Sequence, residues 1–452
     1  MGIALKGGLL VDPQSGSCEQ TDVWLEGDTV VGLGPCPHPG PWEVVDVVGL
    51  TVCPGLIDVH VHLREPGQTH KETIASGTAA AVAGGFSTVC CMPNTAPPID
   101  RPDRVAELLG IVARDARCRV LPLGAVTLEH GADALADVPG LLRAGCAAVT
   151  DDAFPLQERA LMGAALGAVR EAGAGLIVHC EDKRLSAGGV MNRSELSGEL
   201  RLPGQDAASE VEALRQWRAA AAGLSGPVRF HVAHASTAAT VALAGELRRG
   251  SGPLRGLTLE TAPHYFALTQ EQVRHCGADA KMNPPLRSES DRLAIRRALL
   301  EGAISVIATD HAPHTEQEKS AGMLEAPFGV VGLETALAVA LTELVHSGQM
   351  TPAGMISLMT CNAARALGLR AADGRELGVL RVGGVADITI VDTAAEWTVE
   401  PREFRSRARN TPFAGRRLRG RAWGVLVGGR FVMREYQPMT ATLPAPHPPE
   451  RA

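Results

Sequence analysis

The sequence predicts an α/β fold: a (β/α)8 barrel of the TIM type, with a small β-sandwich domain built from both chain ends. Eight short, continuous apolar runs recur through the middle of the 452-residue chain, as is typical of parallel strands that are buried on both faces. Stretches with helical periodicity separate these runs, so strand–helix units follow one another about every 30 residues. Both chain ends instead carry apolar runs between turn residues, without a helical period.

The predicted barrel strands are, in chain order, 56–61, 86–91, 119–124, 146–150, 175–179, 228–232, 256–261 and 303–309. Helical patterns such as 156–173, 206–223 and 236–249 lie between them. Two longer intervals leave room for extra loops at 181–205 and 262–290. A doubly wound open sheet is the competing fold, but no GxGxxG motif follows the first strand.

The domain boundaries follow from the change in pattern along the chain. The barrel is predicted at 55–380, and the two parts of the β-sandwich at 1–54 and 381–437. Neither end is long enough for a stable β domain alone, so we expect the two to combine. The Pro-rich tail 438–452 is predicted to be disordered.

Composition excludes several classes of partner. The 43 basic and 50 acidic residues leave a net charge of −7, which gives no electrostatic reason to bind nucleic acid or an anionic membrane. No uninterrupted apolar stretch reaches the ~18 residues that a membrane span needs. The N-terminus lacks the pattern of a secretory signal, and the ten cysteines are scattered without a CxxC motif. These features predict a cytoplasmic protein with reduced thiols.

Histidine and aspartate residues cluster at the ends of the predicted strands. His60 and His62 lie two apart in an extended segment, so their imidazoles point the same way. Other strands lead directly to Asp151–Asp152, His179, His234 and Asp310–His311. Because the carboxyl ends of all barrel strands meet on one face, these side chains are expected to share one small volume. Imidazole and carboxylate groups suit Zn²⁺ or a similar divalent ion.

Each of these residues also has a structural interpretation. Asp151 could cap the following helix, and His231, inside its strand, could be a hydrogen-bonded core residue. His311 could be a loop residue that only supports the site. Chance placement at five of eight strand ends is nevertheless a poor explanation, so the pattern as a whole favours a metal site.

The motifs that surround these residues resemble one family. DVHVHLREPGQTHKETIASGTAAAVAGGFSTVCCMPNTAP, at 58–97, is similar to the first barrel unit of dihydroorotases in the amidohydrolase superfamily. Later matches keep the family's order: TDD (150–152), VHCED (178–182), HVAHAST (231–237), TAPHYFALT (261–269), KMNPPLR (281–287), ATDHAPHTEQEK (308–319), APFGVVGLET (326–335) and NTPFAGRRLRG (410–420). The resemblance covers nearly the whole chain and is closest to the bacterial type whose bridging metal ligand is aspartate.

The resemblance implies two groups of metal ligands joined by one bridging carboxylate. They are His60, His62 and Asp310 for one ion, His179 and His234 for the other, and Asp152 between them. The offsets from His60 and His179 favour Asp152 over Asp151 as the bridge. Ala153 stands where the family usually has glycine, which leaves that choice open. The resemblance implies zinc, with one or two ions per subunit.

Candidate substrate contacts begin with Arg64, which alternates onto the face of His62. A guanidinium beside a cationic metal site needs an anion, and a substrate carboxylate would supply it. A salt bridge to Glu65 or to another local acid is the alternative. The amides of Asn94 and Asn283 can donate and accept, which fits an imide- or urea-like ring, although lone asparagines more often form turns.

Other substrate contacts are implied only by the resemblance. His314 would contact the substrate carboxylate, and the loop 314–322 could act as a mobile lid. Pro327, Phe328 and Gly329 would offer backbone groups to the substrate ring. For His264, structural support is at least as good an interpretation as substrate contact.

The activity that the resemblance implies is the reversible cyclisation of N-carbamoyl-L-aspartate to dihydroorotate and water, in pyrimidine biosynthesis. A metal-bound hydroxide would be the nucleophile and Asp310 the general acid and base. The alternative enzyme is an allantoinase or dihydropyrimidinase-like hydrolase, which carries a bridging lysine where Asp152 stands. A further alternative is an inactive structural homologue, although such subunits lose metal ligands and none is missing here. A homodimer and an association with aspartate carbamoyltransferase are additional expectations, which the residues themselves do not reveal.

Overall fold

The structure, a computed structural model, describes residues 2–439. Five N-terminal strands come first: β1 (Gly2–Asp12), β2 (Ser17–Glu26), β3 (Thr29–Leu33), β4 (Trp42–Asp46) and β5 (Thr51–Pro54). The next ten strands are β6 (Leu56–Val61), β7 (Phe86–Cys91), β8 (Arg119–Ala125), β9 (Ala148–Thr150), β10 (Gly175–Val178), β11 (Met191–Asn192), β12 (Gly204–Gln205), β13 (Arg229–Val232), β14 (Thr258–Thr261) and β15 (Val306–Ile307). The C-terminal strands are β16 (Ile388–Thr398), β17 (Arg417–Val427), β18 (Arg430–Arg434) and β19 (Gln437–Pro438).

Helices fill the intervals between the strands. They are α1 (Ile74–Ala83), α2 (Pro102–Asp115), α3 (Val138–Ala144), α4 (Arg159–Glu171), α5 (Lys183–Ser186), α6 (Glu195–Glu199), α7 (Ala208–Ala220), α8 (Ala238–Arg249), α9 (Pro263–Ala267), α10 (Gln272–Cys276), α11 (Glu289–Leu300), α12 (Glu316–Lys319), α13 (Gly322–Glu325), α14 (Ala336–Ala340), α15 (Pro352–Leu358) and α16 (Cys361–Leu367). The helices expected at 156–173, 206–223 and 236–249 are therefore confirmed as α4, α7 and α8. No described helix has the length and apolar character needed to span a bilayer.

The predicted barrel is confirmed. Strands β6, β7, β8, β9, β10, β13, β14 and β15 form one parallel sheet, and each pairs with the next in chain order. Every residue of β6 and β7 is buried, as their apolar runs predict for strands covered on both faces. A doubly wound sheet would reverse its strand order, so the competing fold is excluded.

The barrel closes between its first and last strands. Val61 forms a parallel bridge with His311, and His62 N–H donates to the carbonyl of His311 at 2.8 Å. Deeper in the barrel, the Asp58 carboxylate accepts the Thr309 N–H at 3.2 Å. The last strand, expected at 303–309, pairs with β14 only over Val306–Ile307, and the chain beyond it bridges to β6 through His311.

The two chain ends combine as expected, in one continuous sheet of nine strands. Strand β5 joins them, since it pairs in parallel with β1 and antiparallel with β16. Apolar side chains from both ends form a shared cluster that includes Leu25, Val52 and Ile390. The domain boundaries at 54/55 and 380/381 stay a prediction. Of the tail 438–452, Pro438 lies in β19 and Met439 follows it, while 440–452 lie outside the described residues.

Thr389 links the terminal sheet to the barrel. Its hydroxyl donates to the Gly85 carbonyl at 2.7 Å and accepts the Leu56 N–H at 3.1 Å, at a fully buried position. One side chain of β16 therefore satisfies backbone groups at the start of β6 and just before β7.

We expect Thr389→Val to lower the free energy of unfolding by about 2 kcal/mol, because it leaves two buried backbone groups without partners while keeping the side-chain shape. The matched control is Thr398→Val, at an exposed position of the same strand, which should change stability by less than about 0.5 kcal/mol. Urea unfolding of both variants measures the difference. Equal midpoints for the two variants would contradict this account of the joint.

Candidate metal centre and substrate cavity

Six side chains meet at the carboxyl ends of the barrel strands. They are His60 in β6, His62 after it, Asp152 after β9, His179 after β10, His234 after β13 and Asp310 after β15. All six are buried. The structure thus brings together every residue that the sequence analysis assigned to metal binding. Their roles as ligands stay a prediction.

Asp152 lies at the centre of this cluster. Its Oδ1 is 3.6 Å from His60 Nε2, 3.1 Å from His179 Nδ1 and 3.5 Å from His234 Nε2. Its Oδ2 is 3.5 Å from His62 Nε2. One carboxylate therefore faces four imidazoles, as a bridging ligand would.

Two overlapping sets of ligand atoms have the spacing of a metal site. One is His60, His62 and Asp310; the other is His60, Asp152 and His234. In the first set, Asp310 Oδ1 lies 3.3 Å from His62 Nε2 and 3.5 Å from His60 Nε2. The first set matches the expected grouping. In the second, His60 stands where His179 was expected, and His179 Nδ1 instead lies 2.8 Å from His234 Nε2.

Unsatisfied polar atoms indicate what the cluster could hold. His60 Nε2 and Asp152 Oδ2 are buried and have no hydrogen-bond partner among the described residues. Buried polar atoms without partners cost free energy, and a cation bound between imidazole and carboxylate groups would satisfy both. The donor set of four imidazoles and two carboxylates suits zinc or a similar divalent metal.

Electrostatics favour positive charge at the same point. Burial alone would lower the pKa of His60, but the carboxylates of Asp152, Glu260 and Asp310 hold that pKa well above its usual value. The surrounding imidazoles in turn hold the pKa of Asp152 well below its usual range, although burial opposes this. The cluster is therefore rich in ionised carboxylate, and a divalent cation would neutralise it.

Two polar residues orient the imidazoles of His60 and His62. Glu260 Oε1 accepts from His60 Nδ1 at 2.6 Å, and Glu260 Oε2 lies 3.0 Å from His231 Nε2. Asn94 Oδ1 accepts from His62 Nδ1 at 2.8 Å. Hydrogen bonds of this kind fix the tautomer in which Nε2 is free to bind a metal. His231 is thus structural, as its position within the strand suggested.

Glu260 is a site residue that the sequence analysis missed. The sequence indicates Glu260 only as a single acidic residue inside the strand β14, whose other residues are Thr258, Leu259 and Thr261. An acid buried on both sides of a strand requires a partner. The partner itself, 200 positions away in the chain, is visible only in the folded structure.

The structure separates the roles of the two adjacent aspartates. The Asp151 carboxylate accepts backbone N–H groups of His179 at 2.8 Å and Leu156 at 3.0 Å. The Asp151 carboxylate therefore holds the backbone at these two positions in place, and it belongs to neither set of candidate ligand atoms. Asp152, the residue favoured by the sequence offsets, is the one that faces the imidazoles.

A cavity of about 520 Å³ opens above the cluster. Its lining includes the predicted contact residues Arg64, Asn94, Asn283, His314, Phe328 and Gly329. Pro327 does not line it; its carbonyl accepts instead from Lys319 Nζ at 3.1 Å. Asn283 donates to Glu181 Oε2 at 3.0 Å, which places a further acid, missed from the sequence, on the wall.

Arg64 and His314 form the positive side of this cavity. Arg64 Nε donates to the Pro313 carbonyl at 3.2 Å, and its Nη2 lies 3.2 Å from His314 Nε2. Glu65, the alternative partner, accepts the Ile74 N–H instead. Within residues 2–439, Arg64 forms no salt bridge, so its buried guanidinium is available to an anion in the cavity.

The other histidines considered have supporting positions. His311 Nε2 lies 3.4 Å from Glu72 Oε2, and its Nδ1 accepts the Gly332 N–H at 3.3 Å. His264 is buried, lies edge-on to Tyr265 and does not line the cavity. Burial lowers the pKa of His264 to about 4, so it is neutral.

Comparison with known proteins gives one consistent result. A family model described as Dihydro-orotase-like matches residues 49–239. A dihydroorotase of Pelotomaculum thermopropionicum is 44% identical over 96% of this chain and 99% of the relative. A dihydroorotase of an Anaeromyxobacter species is 42% identical over 95% of this chain and 98% of that relative.

Solved structures with the same fold include hydantoinases. The L-hydantoinase of Arthrobacter aurescens has a TM-score of 0.85 at 21% identity, over 97% of both chains. A dihydropyrimidinase of Brevibacillus agri has a TM-score of 0.81 at 22% identity, over 97% of this chain and 96% of the other. At this level of identity the likeness concerns the fold alone.

The neighbouring aspartates allow a matched test of metal binding. We expect Asp152→Asn to weaken divalent-metal binding at least ~10-fold, because it removes the charge that faces four imidazoles. Asp151→Asn should lower thermal stability while it retains the metal, since the Asp151 carboxylate accepts hydrogen bonds from backbone N–H groups. Elemental analysis after dialysis against a weak chelator, together with thermal unfolding, distinguishes them. Metal loss in Asp151→Asn but not in Asp152→Asn would reverse the assignment.

Proposed function

This chain belongs to the dihydroorotase family, and from that membership we propose that it interconverts N-carbamoyl-L-aspartate and dihydroorotate. The observation that carries the proposal is the buried guanidinium of Arg64, which forms no salt bridge with any residue of 2–439 and lines the cavity that opens on the imidazole–carboxylate cluster. Dihydroorotate combines the two groups that this arrangement suits. Its free carboxylate would pair with Arg64, and its ring amide would face the cluster.

The nature of the substrate separates this proposal from the hydantoinase-like alternative. Dihydrouracil and allantoin rings carry no carboxylate, so a buried guanidinium in the cavity would remain uncompensated with them. The bridging position also holds Asp152 rather than the lysine of the sister hydrolases. The identity to dihydroorotases over nearly the full chain supports the same choice. An inactive homologue is disfavoured because all six proposed ligands are present and lie together.

Zinc is the metal we propose for the cluster. His60, His62 and Asp310 would hold one ion, and Asp152, His179 and His234 would complete the site for a second. A bound divalent cation supplies Lewis-acid chemistry: it acidifies water and polarises a carbonyl group. The number of ions stays a prediction.

Asp310 is proposed to move the proton. Neighbouring imidazoles hold its pKa below the usual value against the opposing effect of burial, so it is ionised and can accept a proton. In hydrolysis, water adds its oxygen to the ring carbonyl carbon, and Asp310 accepts the proton that water loses. As the ring C–N bond breaks, Asp310 returns that proton to the nitrogen. In cyclisation the same steps run backwards and release water.

Arg64 and His314 are proposed to orient the substrate. Burial and the adjacent Arg64 guanidinium lower the pKa of His314 to about 2, so the ring is neutral and adds no charge. Of this pair, Arg64 would then supply the charge that neutralises the substrate carboxylate, while Asn94 and Asn283 line the cavity where the ring would lie. Holding the substrate at one end presents its reacting carbonyl to the cluster in a fixed geometry.

Several expectations about the wider setting stay predictions. These are the homodimer, the association with aspartate carbamoyltransferase, the cytoplasmic location and the closure of the loop 314–322. In this structure the loop is held by a 2.9 Å ion pair between Lys71 and Glu318.

The activity is tested by a panel of substrates with zinc-loaded protein. We expect turnover of dihydroorotate and of N-carbamoyl-L-aspartate, because both carry the carboxylate that Arg64 requires. Allantoin and dihydrouracil should react at least ~100-fold more slowly, since the guanidinium stays unpaired with them. Turnover of either neutral ring, with none of dihydroorotate, would overturn the proposed function.

Asp310→Asn tests the proton-transfer role. We expect kcat/KM to fall by about 10²–10⁴-fold, because the amide cannot accept a proton. The matched control is Asp133→Asn, at an exposed loop position, which should be as active as the wild type. Metal content measured on the same samples separates loss of a ligand from loss of the base. Near-normal turnover of metal-loaded Asp310→Asn would contradict the proposed role of Asp310 in proton transfer.

A further inference from the structure

A buried ammonium group lies behind the wall of the cavity. Lys319, the last residue of α12, is only 6% exposed. Its Nζ donates to three backbone carbonyls: Lys281 at 3.2 Å, Pro327 at 3.1 Å and Gly329 at 2.9 Å. All three donor positions of the ammonium are therefore used, and all on main chain.

This arrangement is unusual because, among the described residues, no carboxylate lies within ion-pair distance of the ammonium. Within residues 2–439 Lys319 forms no salt bridge, and the three carbonyls supply only dipoles. Burial lowers the pKa of Lys319 to about 8, so the charged form is destabilised at this position. A buried lysine without an ion-pair partner contributes little to the stability of a fold. The role of Lys319 is therefore sought in the three carbonyl groups that it binds.

The three carbonyls belong to two segments that line the cavity. One segment contains Lys281 and Asn283, the other Phe328 and Gly329. The segments also meet directly, since Gly329 N–H donates to the Lys281 carbonyl at 3.0 Å. Lys319 binds that same carbonyl and the carbonyl of Gly329, so it closes a small network around the junction.

Close packing makes this junction sensitive to small movements. Gly329 has a φ of +141°, and a Cβ there would lie 2.7 Å from the Ala312 carbonyl oxygen. The Phe328 carbonyl lies 2.9 Å from His314 Nε2. A shift of the 327–329 backbone would therefore move both the side of the cavity that faces the ring and the partner of His314.

The position of Lys319 is itself fixed from two sides. Thr315 caps α12 and accepts the Glu318 N–H, while the Glu318 carboxylate accepts the Thr315 N–H at 2.9 Å. Glu318 also pairs with Lys71 at 2.9 Å. The short helix thus presents Lys319 in one orientation, although four residues alone would not form a stable helix.

We propose that Lys319 is a positioning residue for the substrate ring: by binding the carbonyls of Lys281, Pro327 and Gly329, it fixes the part of the cavity wall that these two segments form together. This inference rests on the proposed function for the identity of the ring. Lys319 is not one of the residues that line the cavity. It therefore acts through the backbone segments whose carbonyls it binds.

The test compares Lys319→Met with Lys6→Met in full-length, zinc-loaded protein. Methionine keeps the length and apolar stem of lysine but removes the charge and the donors. Lys6 pairs with Asp22 in the terminal sheet, so its variant controls for the loss of one lysine far from the cavity. Lys319→Gln, which can still donate to one carbonyl, is measured alongside in case the methionine variant does not fold.

We expect Lys319→Met to raise KM for dihydroorotate about tenfold with kcat lowered less than about threefold, the pattern of lost positioning in the bound state rather than lost chemistry. Hydrogen exchange of peptides covering 326–331 should quicken about tenfold without substrate, with barrel strands unchanged. The glutamine variant should show the same changes, smaller in size, and Lys6→Met should show neither.

A lower melting temperature in Lys319→Met or Lys319→Gln, with wild-type KM and wild-type exchange at 326–331, would overturn the inference and leave Lys319 a structural residue. Failure of the wild type to turn over dihydroorotate would instead contradict the proposed function. Because the exchange comparison needs no substrate, it decides the role of Lys319 in fixing the wall in either case.

Discussion

The carboxylate of Asp152, fully enclosed and facing four imidazoles, is the interaction on which the rest of the site depends. Ionised acids are stable in a protein interior only with compensating charge or hydrogen bonds. Here the nearest imidazole nitrogens, at 3.1–3.6 Å, come from β6 and the residue that follows it, the loop after β10 and the loop after β13. Segments this far apart in the chain approach one carboxylate only because the barrel is closed, so the site and the closure of the barrel stabilise each other.

The closure has its own polar chemistry. Asp58, two residues before His60 in β6, accepts the Thr309 N–H, and Thr309 immediately precedes Asp310. The first set of candidate ligand atoms therefore lies along the seam between the first and last strands. Three residues just beyond strand ends have left-handed φ values: Arg64 at +61°, His234 at +32° and Asp310 at +48°. Such conformations cost free energy in non-glycine residues and persist where surrounding contacts impose them, as is common at functional sites.

Much of this arrangement could be predicted from the sequence, for physical reasons that differ by element. Continuous apolar runs identify strands buried on both faces, so β6 and β7 were predicted with their observed bounds. The last strand was predicted too long, because an apolar run does not show where ladder hydrogen bonds stop. The proposed metal ligands follow strand ends, and the barrel topology alone brings strand ends together. The role of Asn94 was harder: an amide can contact a ring or a histidine, and only the fold shows that it holds His62.

What the sequence could not indicate is which polar groups would be drawn in from far along the chain. Glu260 and Lys319 are ordinary charged residues by pattern, and their importance depends on partners that folding provides.

The segment just before β17, in the part of the chain assigned to the terminal sheet, also contributes polar groups to the cavity wall that the sequence does not indicate. Asn410 donates to the carbonyls of Ala312 and Gly329 and accepts the His314 N–H at 3.2 Å, while Ser406 bonds the Glu72 carboxylate that meets His311. This C-terminal segment thus stabilises the wall of the cavity, so the proposed substrate site depends on residues outside the predicted barrel. That dependence gives a physical reason for the match to dihydroorotases to extend over nearly the whole chain rather than to end with the barrel.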